Sequence, residues 1–347
     1  MSLQDLLNQY LPAIEEELRQ VLAIPEERLR PFYGMMHYHL GWTDASFKAL
    51  PSPVGGKRLR PVLCLLTCRA VGGNPQQALP AAAAVELIHN FSLLHDDIED
   101  NSPTRRHRTT VWKIWGEPQA INAGDGMFAL AHLALQRLSE KGLPDEQVLT
   151  ACQVFDQTCL ALCEGQYLDM SFEERLDVDM DQYLAMIRLK TAALMSCSTR
   201  LGALLGSRDA SLIARYARFG ENLGLAFQIE DDILGIWGEE QSTGKPQAGD
   251  IRQRKKSLPV VYALQQEASL PPSQQQIRRI YQDKSSGEEA IKIVLESLQT
   301  LGARQYAQQM ALDYHQRALA ELEATGIENE GQEGLRELVR LLVNRPY

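Results

Sequence analysis

Val85-Glu86-Leu87-Ile88-His89-Asn90-Phe91-Ser92-Leu93-Leu94-His95-Asp96-Asp97-Ile98-Glu99-Asp100 is apolar for most of its length and ends in four carboxylates. Its apolar residues recur at three and four spacing, the period of a helix. On that helix Asp96 and Asp100 stand one turn apart and share a face. Like charges about 6 Å apart repel by roughly 3 kcal/mol at an effective dielectric near 20. An otherwise apolar helix has little reason to carry such repulsion unless a cation offsets it. Carboxylate oxygens are hard ligands that suit Mg²⁺, and Mg²⁺ commonly bridges to a phosphate. A second run, Leu223 to Ile229, leads in the same way into Glu230-Asp231-Asp232. Two acidic helices facing one another, with Mg²⁺ and a diphosphate between them, is the arrangement this pattern implies.

Outward from these runs, the same helical period recurs almost everywhere, and alternating strand-like runs are scarce. Helices are expected over 3–22, 58–72, 79–101, 118–141, 145–170, 179–205, 209–236, 252–266, 273–283, 286–300, 302–325 and 329–344. Glycine- and proline-rich breakers separate several of them, as at Pro51 to Gly56, Gly72 to Pro75 and Gly142 to Pro144. Small residues at Ala81 to Ala84, and at Ala123, Gly124 and Gly126, allow close helix packing. With no repeat and no long linker, 1–347 reads as one all-α domain.

Charge narrows the function classes. A net charge of −10 argues against nonspecific nucleic-acid binding. Yet cations cluster at Lys57, Arg58 and Arg60, at Arg105 to Arg108, and from Lys245 to Lys256. Clusters of this kind in an acidic protein suggest local anion sites. The six cysteines form no CxxC pair, and two pairs four apart in apolar runs read as buried core residues. The N-terminus lacks the pattern of a signal peptide. No apolar run reaches the roughly 18 residues of a transmembrane helix. A soluble, reduced, cytoplasmic protein is expected.

Taken singly, most polar positions inside apolar helices read as satisfied core contacts. This applies to His89, His95, Gln166, Asp169 and the pair Lys190-Thr191. Gly55-Gly56-Lys57-Arg58-Leu59-Arg60-Pro61 is more pointed: glycines let backbone approach an anion, a helix N-terminus favours one, and Lys57 and Arg60 are spaced to converge on it. The basic loop after the second acidic run has no Walker spacing.

Together, these residues resemble the trans-isoprenyl diphosphate (polyprenyl) synthases from about residue 50 onward, with 1–50 less well matched. The resemblance is carried by Gly56-Lys57-x-x-Arg60-Pro61, Asp96-Asp97-x-x-Asp100, Arg105-Arg106, Gly165-Gln166-x-x-Asp169 and Lys190-Thr191. It continues through Phe227-Gln228-x-x-Asp231-Asp232 and through Gly244-Lys245 with Asp250 and Lys255. The family implies an all-α isoprenoid synthase bundle with a central apolar cavity, usually a homodimer, that joins an allylic diphosphate to isopentenyl diphosphate.

By the same resemblance, Asp96 and Asp100 bind two Mg²⁺ with Asp97 in support. Asp231 binds a third, and Asp250 holds that ion's waters. Arg105, Lys190, Lys245 and Lys255 grip the allylic diphosphate. Lys57, Arg60, His89 and Arg106 grip isopentenyl diphosphate, and Thr191 and Gln228 lie near the nascent cation. An aromatic residue at Phe91, with a small one at Ser92, implies a cavity floor suited to geranylgeranyl diphosphate, with farnesyl diphosphate as the alternative. Phe128 is the other candidate for that floor.

The chain departs from the family twice. Gly235 replaces the third aspartate of the second motif, and an aspartate there is expected to be tolerated. His107 replaces the glycine that usually follows the arginine pair. Residues 29–42 match no motif. Two other functions remain open on the sequence, a class I terpene cyclase and a noncatalytic partner subunit. The second diphosphate site argues against the first, and the intact leading aspartates of both motifs argue against the second.

Overall fold

The computed structural model describes residues 3–52, 54–238, 248–283 and 287–343. It is helical nearly throughout, as expected, with one two-stranded ribbon among the described residues. By internal contacts the chain divides into two compact units. One comprises 1–157, 197–217 and 325–337; the other comprises 158–196, 218–324 and 338–347.

In the first unit, α1 (Leu3–Val21), α3 (Leu59–Ala70) and α6 (Glu117–Gln136) pack around α4 (Leu79–Glu99). Ala81 to Ala84, Val85, Leu87 and Ile88 of α4 are fully buried. Four consecutive alanines at its start let neighbouring helices approach from several sides, so α4 lies inside the unit. Glycines do the same between α3 and the later part of α9 (Ala193–Gly206). A Cβ at Gly202 would lie 2.2 Å from Cys64 O.

Glu86 is one of the buried polar groups of α4. It accepts a hydrogen bond from Arg58 Nη1 at 2.8 Å, and Arg58 Nε donates to Glu15 at 2.7 Å. Arg58 sits in the left-handed region, φ 49°, as the N-cap of α3. Its side chain is therefore turned inward into an ion-pair network and is not available to a ligand as Lys57 is.

The unplaced stretch 29–42 forms α2 (Arg30–His39), with Pro31 in its first turn, where a missing N–H costs nothing. Its role is to brace the ribbon β1 (Thr104–Arg105) and β2 (Arg108–Thr109). The Arg108 guanidinium lies 3.9 Å over the Tyr38 ring and donates to Tyr38 O at 2.8 Å and Thr43 O at 2.6 Å. Tyr38 Oη returns a 2.7 Å bond to Thr109 O. The two residues between the strands, Arg106 and His107, have φ 51° and 60°. That is the two-residue turn whose twist suits a hairpin, at a position where glycine is the strain-free choice. Histidine adopts this region more readily than most side chains do. His107 thus keeps the usual tight turn despite the departure. Short helix α5 (Val111–Trp115) leads from the ribbon into α6.

The second unit holds the later part of α7 (Asp145–Phe172), then α8 (Met180–Ile187) and most of α10 (Ala210–Trp237). It continues with α11 (Gly249–Arg252), α12 (Leu258–Glu267), α13 (Gln276–Gln282), α14 (Glu288–Thr300) and α15 (Ala303–Glu323). Helix α16 (Glu330–Val343) begins in the first unit and ends in the second. The core of this unit centres on Tyr183, Ile187, Leu225, Ile229, Ile233, Leu258 and Ala307.

Two expected helices are interrupted. The run 179–205 contains a π turn, Arg188–Ala192, between α8 and α9. The run 252–266 begins instead at Leu258, because Arg254 is left-handed at φ 55° and Pro259 suits only a first turn.

Candidate active site

The first unit carries the first acidic motif and the basic loop. Helix α4 ends at Glu99, and Asp100 is its C-cap, still in helical conformation, so Asp96 and Asp100 remain one turn apart. Both are half-buried. Asp97 lies on another face. It is 1% exposed, and Arg105 Nε donates to its Oδ1 at 2.7 Å. Burial pushes the Asp97 carboxyl up to about 6, while Arg105 pulls the other way. The middle aspartate therefore braces Arg105, which the ribbon presents beside the motif.

Arg106 is positioned from the other side of the ribbon turn. A Cβ at Gly56 would lie 2.7 Å from its Nη2, so the glycine is what lets the guanidinium lie against this backbone. Around it gather half-buried Arg60 and His89. Burial, followed by the charges of Arg60, Arg106, Arg105 and His39, holds the His89 imidazole well below its usual value. Burial likewise draws the Arg106 guanidinium down. Crowded cations of this kind favour an anion at their centre. Arg60, His89 and Arg106 are thus brought together, whereas Lys57 is exposed on the loop before α3.

Deeper along α4, Phe91 is half-buried and meets Phe128 of α6 edge-on, with ring centroids 5.1 Å apart. Phe128 in turn stands 4.6 Å from His132, and His132 stands 5.2 Å from Phe155 of α7. The two floor candidates are in direct contact. They form one aromatic layer.

The second unit assembles its site around the π turn. Such turns are rare and cluster at functional sites, because the extra residue re-aims side chains. Here they are Lys190 and Thr191. Lys190 Nζ donates to Asp169 Oδ2 at 2.6 Å. The approach of α7 depends on Gly165, where a Cβ would lie 2.3 Å from Lys190 N. Thr191 Oγ1 donates to Gln228 Oε1 at 2.7 Å, and Gln228 Nε2 donates to Asp232 Oδ1 at 2.9 Å. Asp232 Oδ2 also accepts from Tyr183 Oη at 2.5 Å and from Leu258 N at 2.7 Å. Burial, then neighbouring Asp250, pushes its carboxyl up to about 7. Asp232 is therefore the anchor that orients Gln228 and Thr191. Sequence reasoning assigned it no role and missed Tyr183, whose helical spacing gave no signal.

Half-buried Asp231 and buried Asp250 belong to the same unit. A Cβ at Gly235 would lie 2.2 Å from Asp250 Oδ2. This contact bears on the expectation that aspartate is tolerated at 235, because a side chain there requires the Asp250 carboxylate of α11 to move. Lys255 is half-buried just after that helix, and Lys245 lies outside the described residues.

The residues present fit Mg²⁺. Among the described residues, no group of three or more His, Cys, Asp and Glu side chains is gathered to hold a metal alone. Mg²⁺ does not ask for that. It takes one or two carboxylates and completes its shell with water and substrate phosphate. Asp96 with Asp100, and Asp231 with Asp250, offer oxygen donors on that scale.

The polyprenyl synthetase family model matches residues 42–298. This chain belongs to that family. A short chain isoprenyl diphosphate synthase from Methanothermobacter thermautotrophicus is 38% identical over 352 residues, covering 100% of both chains. A (2E,6E)-farnesyl diphosphate synthase from Mycobacterium bovis is 35% identical over 96% of this chain and 90% of its own. Among solved structures, a geranylgeranyl pyrophosphate synthetase from Pyrococcus horikoshii superposes with a TM-score of 0.85 at 32% identity, covering 99% of both chains. The chain is accordingly a prenyltransferase of the short-chain class, as its motifs implied. No helix among the described residues is long and apolar enough to cross a membrane.

Proposed function

We propose that this polyprenyl synthetase condenses allylic diphosphates with isopentenyl diphosphate, in the presence of Mg²⁺, and releases geranylgeranyl diphosphate. The observation that carries the reading is the gathering of Arg60, His89 and Arg106 in the unit that also bears Asp96 and Asp100. Ionising one diphosphate calls for the carboxylates, the metal they hold and one set of cations. A separate cationic cluster supports a second diphosphate substrate, which a terpene cyclase does not need.

In this reading Asp96 and Asp100 hold two Mg²⁺, with Asp97 steadying Arg105; Asp231 and Asp250 serve a third. The metal, when bound, neutralises charge that develops on the leaving diphosphate. Arg105, Lys190, Lys245 and Lys255 grip the allylic diphosphate; Lys57, Arg60, His89 and Arg106 grip isopentenyl diphosphate. Pre-set cations of this kind cost no reorganisation as charge moves. Thr191 and Gln228 present oxygen dipoles, fixed by Asp232, to the allylic cation. The double bond of isopentenyl diphosphate attacks that cation, and the proton then lost is taken by the released diphosphate. No side-chain base is required.

In this reading 1–347 acts as one catalytic domain. A homodimer is supported by exposed Ile121 and Leu133 on α6 and Leu149 on α7. A cytoplasmic, reducing location suits six cysteines that form no disulfide.

The test is incubation of the purified chain with radiolabelled isopentenyl diphosphate and each allylic primer in turn, with Mg²⁺ or with EDTA. A C20 diphosphate made only with Mg²⁺ is expected. A cyclic product from a labelled allylic diphosphate with isopentenyl diphosphate omitted would instead establish cyclase chemistry, and no turnover by the single chain would support a partner subunit. Arg60→Ala should raise the KM for isopentenyl diphosphate far more than that for the allylic substrate. Equal effects would overturn the partition of the cations.

A further inference from the structure

A small cavity of about 20 Å³ lies where α2, the end of α4 and the ribbon meet. Its lining includes His39, Asp97, Arg105 and Arg106. Three polar atoms of that lining are buried with no hydrogen-bond partner among the described residues: His39 Nε2, Asp97 Oδ2 and Arg106 Nη1. A buried polar atom left unpaired costs about 1–3 kcal/mol, so three around one cavity call for a shared occupant. The volume suits one water molecule, which needs roughly 10–15 Å³ and two to four polar partners.

The chemistry of the three atoms selects the occupant. Arg106 Nη1 can only donate, and Asp97 Oδ2, facing a guanidinium, accepts. An anion would be repelled by Asp97 and a cation by Arg106. Water accepts from one and donates to the other. Burial, followed by Arg106, Arg105, Arg58 and Arg108, holds the His39 imidazole well below its usual value. A neutral ring offers a lone pair or an N–H at Nε2, and water can meet either.

We propose that His39 is a positioning residue for Arg106, holding it and Asp97 in register through one water molecule bound in this cavity. The proposal rests on the reading of Arg106 as a ligand of the isopentenyl diphosphate. It also gives α2 a part in the reaction, since its last residue links the inner oxygen of the first acidic motif to the second diphosphate site. His39 itself does not touch substrate.

The test compares His39→Phe, which keeps a ring and removes both nitrogens, with His39→Gln, which returns an amide near the Nε2 position. His39→Phe should raise the KM for isopentenyl diphosphate about tenfold, the scale of one lost charge-assisted hydrogen bond. The allylic KM and kcat should stay within about twofold, and His39→Gln should recover most of the loss. If His39→Phe does not fold, His39→Leu takes its place. Arg106→Lys completes a double-mutant cycle: the double variant should be little worse than Arg106→Lys alone, because both changes remove one linkage. Additive effects, or an unchanged KM in the His39 variant, would overturn the inference. An unchanged isopentenyl diphosphate KM in Arg106→Lys is a different failure, since it removes Arg106 from the substrate site and this inference with it.

Discussion

Gly235 stands inside a 28-residue helix, α10, where glycine costs about 1 kcal/mol relative to alanine. The contact with Asp250 accounts for it. A side chain at 235 would displace the buried Asp250 carboxylate. Gly235→Asp is therefore expected to cut turnover about tenfold and to raise the Mg²⁺ concentration for half-activity, since two carboxylates about 6 Å apart repel by roughly 3 kcal/mol at an effective dielectric near 20. Adding Asp250→Gly to that variant should restore part of the loss by moving the carboxylate from α11 to α10. A wild-type Mg²⁺ titration in Gly235→Asp would show that Asp250 is not used. The other departure behaves differently. His107→Gly removes a left-handed side chain and should raise stability by about 1 kcal/mol, read as a higher melting temperature with activity kept. A lower melting temperature would mean that the imidazole makes a contact worth more than the strain.

At the scale of elements, the π turn Arg188–Ala192 is the feature periodicity could not reveal. Apolar spacing across 179–205 continues through it, because one extra residue shifts the pattern by less than the pattern's own scatter. Its signal in the sequence was indirect: Gly165, on another helix, with no turn or positive φ to require it. The structure supplies the reason, a backbone approach that a Cβ would block at 2.3 Å. Gly165→Ala should then destabilise by about 1–3 kcal/mol through overpacking and lower turnover by loosening Lys190. Gly287→Ala, where a Cβ would meet nothing within 4 Å, is the control and should change neither. Equal melting temperatures for the two variants would sink this account. The short ribbon was equally hard to read, since two-residue strands leave no alternation, yet its arginines were plain from charge alone. Asp96, Asp100 and Asp231 were legible for the same reason: charge inside apolar runs is conspicuous. Asp232 and Tyr183 were not, because a hydrogen-bonded anchor looks like any polar residue until its partners are placed.

Across the whole molecule, the outcome of the reaction depends on how far a growing chain can extend, and the aromatic layer bears on that. Phe91 lies five residues before Asp96, about 7.5 Å along α4 at the helical rise. Its ring does not stand alone but rests edge-on against Phe128, which continues to His132 and Phe155. Edge-to-face pairs of this kind add about 0.5–1.5 kcal/mol beyond their buried area, so one ring holds the other in place. Removing only the nearer ring leaves a second obstacle beneath it. Phe91→Ala is therefore expected to move products from C20 to a mixture reaching C25. Phe91→Ala with Phe128→Ala should go further, to C30 and beyond, with condensation continuing in both. The measurement is chromatography of the dephosphorylated products from labelled isopentenyl diphosphate. If Phe128→Ala alone lengthens the product as much as the double change, Phe128 is the floor and Phe91 only its support. If the double variant still stops at C20, the floor lies elsewhere and the aromatic layer serves packing alone.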